Sequence, residues 1–108
     1  MATIKAVIVD PDGTTRVTEI ENGLGGFQSV VGGYIEGVFG NVATIYVNEE
    51  GLLMSLPFNP VATLFANNIL GFAGMRLFGT ALILGTGDGE GNDTDVRPAV
   101  VDYFTKEN

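Results

Sequence analysis

The 108-residue chain has no cysteine, no histidine and only five lysines and arginines. Without cysteine it can have no disulfide framework and no thiol nucleophile. Without histidine it lacks an imidazole general base, and the usual zinc ligands are missing as well. Lys5, Arg16, Arg76, Arg97 and Lys106 stand singly, so no basic patch neutralises phosphates, and no nucleic-acid partner is expected. Charge is also absent from residues 51 to 75. Ser55, Pro57, Asn59, Pro60, Thr63, Asn67 and Asn68 interrupt that stretch, and a bilayer tolerates few such groups, so no membrane span is expected. The apolar run near the N-terminus is too short for a signal-peptide core, which points to a cytoplasmic protein.

What is present is apolar and acidic. Hydrophobic residues make up 45% of the chain and charged residues 17%, with 13 acidic side chains giving a net charge of -8. That composition suits one folded domain over residues 1–108 with a real core. A mean hydropathy of +0.30 beside such a charge implies either an unusually complete core or apolar surface buried by assembly. Leu52, Leu53, Met54, Leu56, Phe58, Leu64, Phe65, Ile69, Leu70 and Phe72 all fall in the uncharged stretch, and a homo-oligomer is expected.

Residues 3–10 are apolar at both alternating sets of positions, the pattern of a strand covered on two sides. Pro11-Asp12-Gly13 turns the chain into Thr14–Ile20, a more polar edge strand. Asn22 is placed to cap a short helix presenting Leu24, Phe27 and Val31, ended by Gly32-Gly33. Tyr34–Phe39 and Val42–Val47 read as strands around Gly40-Asn41, and Leu52-Leu53-Met54 as a further short strand of the same meander. Asn59 and Pro60 open a second helix with Val61, Leu64, Phe65 and Ile69 on one face. Gly79–Leu84 is an apolar strand, and Thr94 or Asp95 with Pro98 announces a terminal helix with Val100, Val101 and Phe104 inward. The fold class is α+β: a mainly antiparallel sheet of about five strands, with two or three short helices on one side.

Few motifs carry chemistry. In the loop 85–95, glycines at 85, 87, 89 and 91 miss the spacing of a phosphate cradle, and its acids would repel phosphate. Asp88, Glu90, Asn92, Asp93 and Asp95 are calcium-type oxygen donors, but Asp93 and Ala99 stand where an EF-hand needs Gly and Glu. The loop reads as a mobile, solvated surface segment, and no metal or cofactor is expected. Asp10 with Asp12 and Glu49 with Glu50 read as turn formers, since the chain supplies no nucleophile activator. The remaining candidate is the word Gly32-Gly33-Tyr34-Ile35-Glu36. Its glycines can end a helix, while Tyr34 and Glu36, two residues apart on a strand, can face one ligand or partner.

The words Val31-Gly-Gly-Tyr-Ile-Glu36, Val47-Asn-Glu-Glu-Gly-Leu-Leu53, Leu56-Pro-Phe-Asn59 and Gly79-Thr80, with Val9-Asp-Pro-Asp-Gly13 at the start, occur in that order. In this the chain resembles a small family of proteins encoded by bacteriophages and other mobile elements of Actinobacteria and Firmicutes, catalogued as a domain of unknown function. Pro60 departs from the Arg that many relatives carry there. The resemblance implies a phage setting in the host cytoplasm, not an activity. Three functions are compatible with these residues. The first is a non-enzymatic accessory protein that binds a host protein or another host or phage macromolecule. The second is an oligomeric binder of a nucleotide-like small molecule, walled by Gly32, Gly33, Tyr34 and Glu36. The third is an acidic DNA mimic, although the acids cluster in turns and one loop instead of forming a phosphate-like stripe.

Overall fold

The computed structural model describes residues 2–106. Strands β1 (Thr3–Val9), β2 (Thr15–Glu21), β3 (Ile35–Phe39), β4 (Thr44–Asn48) and β5 (Ala81–Leu84) form one sheet, antiparallel throughout, in the order β2-β1-β5-β4-β3. Three α-helices accompany it: α1 (Leu24–Val31), α2 (Pro60–Leu64) and α3 (Pro98–Thr105). The class and strand number are those expected from the sequence.

The β1–β2 hairpin pairs Thr3 with Glu21 through Val9 with Thr15. Asp12 closes its turn by accepting the Thr14 N–H at 2.8 Å. β5 lies at the centre, pairing Val7 with Ile83 on one side and Ile45 with Ile83 on the other, and all four of its residues are buried.

Strand alternation divides the core in two. Ile4, Ala6, Ile8, Tyr46, Leu82 and Leu84 pack with Phe27 and Val31 of α1. Val7, Val9, Ile45, Val47 and Ile83 pack on the opposite face with Ala62, Phe65 and Val100. The helices therefore cover both faces, not one as expected. The apolar runs of β1 and β5 require this, because a strand apolar at both parities exposes one set unless each face is covered.

Three further local expectations are corrected. Leu52-Leu53-Met54 is no strand but the tip of a turn, because Gly51, Met54, Ser55 and Leu56 donate their N–H groups to carbonyls within residues 48–52 and fold the segment back on itself. Asn22 does not cap α1. Its N–H pairs with the Ala2 carbonyl and extends the hairpin ladder, so Gly23 stands at the cap without a side-chain bond. Likewise neither Thr94 nor Asp95 caps α3. Asp95 accepts the Lys5 N–H at 2.8 Å and the Val96 N–H donates to the Lys5 carbonyl, so residues 95–96 run alongside β1.

Asn59 does cap α2, its Oδ1 accepting the Ala62 N–H at 3.1 Å. Its Nδ2 donates to the carbonyls of Val9 and Gly79, each at 2.9 Å, so one fully buried amide ties α2 to β1 and to the approach to β5. The helix then widens into a π turn over Phe65–Ile69, which shifts its phase. Ala62, Phe65 and Ala66 face inward, while Leu64 and Ile69, expected on one face with Phe65, are exposed.

Candidate binding surfaces

The Gly-Gly-Tyr-Ile-Glu word is divided by the structure. Gly32 ends α1 in the left-handed region at φ 83°, its N–H donating to the Gln28 carbonyl. Gly33 is small for another reason. A Cβ there would lie 2.8 Å from Asn48 Nδ2, and that buried amide is committed, donating to the Val31 carbonyl and accepting the Glu50 N–H. Tyr34 is 68% exposed and Glu36 is exposed. The Tyr34 carbonyl accepts the Glu49 N–H, setting Tyr34 across from Glu49 at the open edge of the sheet. The two glycines thus shape the junction of α1, β3 and β4, and the two side chains lie free on the surface beyond it.

Beside them is a surface built from residues of the uncharged stretch, placed by pattern in a strand and found in a turn. The turn 49–55 is pinned by the Asn48 side chain at Glu50, by the backbone bonds already given, and by Ser55 at φ 56°. It holds Leu52, Leu53 and Met54 in solvent at 72%, 85% and 52% exposure. On its other flank Arg76 stacks over Phe58 and Phe78, at 5.8 and 5.5 Å from the ring centres. The signal in the sequence was three consecutive large apolar residues, separated from two glutamates only by Gly51. Strand alternation does not produce such a run on a surface, whereas a turn tip can.

A second candidate surface is a cleft of about 420 Å³ over the α1 face of the sheet, lined by Asn22, Gly23, Leu24, Phe27, Ile35, Tyr46, Gly91, Asn92 and Asp93. Its floor is the stacked pair Phe27 and Tyr46, with ring centres 5.4 Å apart. At its wall the Tyr46 hydroxyl donates to Asp93 Oδ1 at 2.9 Å. Burial, reinforced by the Asp93 carboxylate, pushes the Tyr46 phenol up to about 12. Of the Gly-Gly-Tyr-Ile-Glu word only Ile35 reaches this cleft.

The loop 85–95 that supplies Asp93 is solvated but internally tied. The Asp88 carboxylate accepts the Asn92 side-chain amide and the N–H groups of Glu90 and Asn92, which hold it below the usual carboxylate range. Thr94 Oγ1 donates to the Thr86 carbonyl at the base. Among the described residues no three acidic side chains converge on a possible metal position. Asp10 is equally committed, accepting the Thr80 hydroxyl at 3.0 Å. No helix among the described residues is long and apolar enough to cross a membrane.

No curated protein and no solved structure matches the chain. Residues 4–108 match one family across nearly the whole chain, a span that takes in all of the fold but the first residue of β1, and the chain belongs to the family described as a domain of unknown function, DUF3846.

Proposed function

We propose that this chain is a non-enzymatic bacteriophage accessory protein that acts in the host cytoplasm by occupying a site on a host or phage macromolecule. The observation that carries the binding role is the turn 49–55, which fixes Leu52, Leu53 and Met54 in water. Exposing contiguous large apolar side chains on a hydrogen-bonded scaffold costs solubility, and a surface of that kind is the usual mark of an interaction site. The phage setting rests on the sequence words that resemble mobile-element proteins. A photo-crosslinking residue at Leu53, compared in infected host cells with one at exposed Thr18, tests the role. A discrete adduct at position 53 alone is expected, and equal or absent adducts at both overturn the reading.

The cleft over Phe27 and Tyr46 favours a second reading, binding of a small molecule. Asp93 at its wall opposes a phosphorylated ligand, so the candidate is an uncharged or cationic polar compound instead of a nucleotide. A thermal-shift screen that finds such a compound, with the gain lost in Asp93→Ala, would support it. Self-association fits a different surface, the apolar groove of about 290 Å³ that includes Phe65, Ile69, Val100 and Tyr103. A light-scattering mass of a single 11.3 kDa chain would overturn that part.

A further inference from the structure

We infer that the turn 49–55, together with the open β3 edge beside it, docks a basic, apolar-rich segment of a protein partner; this rests on reading the chain as a binding protein and names the chemistry of what it binds. Three observations select the occupant. Leu52, Leu53 and Met54 demand apolar contact. Glu49 and Glu50 lead into that tip, and Glu36 lies two residues beyond Tyr34 on β3, across from Val47. No lysine or arginine occurs between residues 17 and 75, so β3, β4 and the turn contain no cation of their own. Arg76 is the nearest cation in sequence, and it is stacked on Phe58 and Phe78.

An apolar tip entered through Glu49 and Glu50, with Glu36 on the neighbouring strand, repels anions on that side, which argues against nucleic acid and acidic lipid surfaces there. It also argues against a second copy, which would bring the same glutamates face to face. The complementary surface is a chain that alternates apolar side chains with Lys or Arg. β3 is one of the two edge strands of the sheet, with outward backbone groups that an extended chain can pair. The partner's apolar side chains would cover Leu52 and Leu53, and its cations would meet Glu36, Glu49 and Glu50.

The test uses a synthetic peptide of alternating leucine and lysine, with a leucine and glutamate counterpart, titrated into the full chain by calorimetry at physiological salt. Binding of the lysine peptide alone is expected, weakened about tenfold or more by Glu36→Gln, Glu49→Gln and Glu50→Gln combined. A control with equal charge loss, Glu19→Gln, Glu21→Gln and Asp102→Asn, is expected to weaken it less than about twofold, because screening removes distant contributions. Leu52→Ser with Leu53→Ser is expected to abolish binding while circular dichroism stays unchanged. Equal weakening by both charge variants, binding of the glutamate peptide, or a dimer that Leu53→Ser dissolves would each overturn the inference. If a Leu53 crosslink in infected cells persists through the three Glu→Gln changes, the chain still binds a partner and only the charge selection fails.

Discussion

The hydroxyl of Tyr46 and the carboxylate of Asp93 meet at 2.9 Å across 47 residues of sequence, fastening the centre of β4 to the loop that follows β5. Burial and the neighbouring carboxylate both favour the neutral phenol, raising it to about 12. The unfolded tyrosine titrates near 10, so the contribution is complete below about pH 10 and is lost as pH rises from there through about 12. Tyr46→Phe is expected to cost about 0.5–1.5 kcal/mol at neutral pH and to flatten the alkaline loss of stability. Urea midpoints collected from neutral to strongly alkaline pH check both.

Gly32 and Gly33 are adjacent but fail for different reasons when substituted. Gly32→Ala forces a side chain into the left-handed region and is expected to cost about 1 kcal/mol. Gly33→Ala displaces Asn48 and breaks the link from α1 to the turn 49–55, for an expected loss of about 1–3 kcal/mol. Only Gly33→Ala should speed amide exchange at Glu50, whose N–H bonds Asn48. Tyr34→Phe and Glu36→Gln are expected to leave the melting temperature within about a degree, since exposed surface changes rarely matter to stability.

Asn59 is fully buried with three side-chain hydrogen bonds. Asn59→Asp keeps the acceptor for Ala62 but removes the donor to Val9 and Gly79 and places a charge where nothing is exposed. It is expected to destabilise by about 3 kcal/mol or more at neutral pH. Asn59→Ala should cost less, and partial recovery of Asn59→Asp at acidic pH would show that the charge carries the excess.

Asp88 has its oxygens engaged by donors of its own loop, so millimolar calcium is expected to leave the melting temperature unchanged. Its lowered pKa contributes stability above the ordinary carboxylate value of 3.8, lost as pH falls through the lower folded value. Asp88→Asn should therefore flatten part of the acid limb of a pH–melting profile. A rise of several degrees with calcium, abolished by Asp88→Asn, is the contrary result.

Patterning located β1, β2, β5 and the Asn59-Pro60 helix start, because those segments depend on local periodicity and capping. It misassigned what depends on long-range competition. Asn22 and Asp95 have capping side chains, yet the Asn22 backbone is drawn off by Ala2, just before β1, and the Asp95 carboxylate by Lys5 of β1, both far away in sequence. Leu52-Leu53-Met54 has strand composition but follows Asn48, whose amide folds the next residues into a turn. The π turn at Phe65–Ile69 has no periodic signature, so α-helical spacing puts Ile69 on the face of Phe65, whereas Phe65 is buried and Ile69 exposed. Of the candidate site, Tyr34 and Glu36 were legible as a pair of surface groups. The Tyr46–Asp93 contact was not, since no local spacing couples a strand residue to a loop 47 positions on.

The central strand of the sheet is also the last one to be synthesised. Until residues 81–84 emerge from the ribosome, the β1–β2 and β3–β4 hairpins have no strand between them. A two-stranded hairpin is marginal in water, so the nascent chain carries two open pairs with unsealed edges. Closure then takes place as one late event, in which four buried residues complete the ladder and both cores together. A chain stopped after Gly79 is expected to show no cooperative urea transition. In the cell such a fragment would belong to chaperones and proteases.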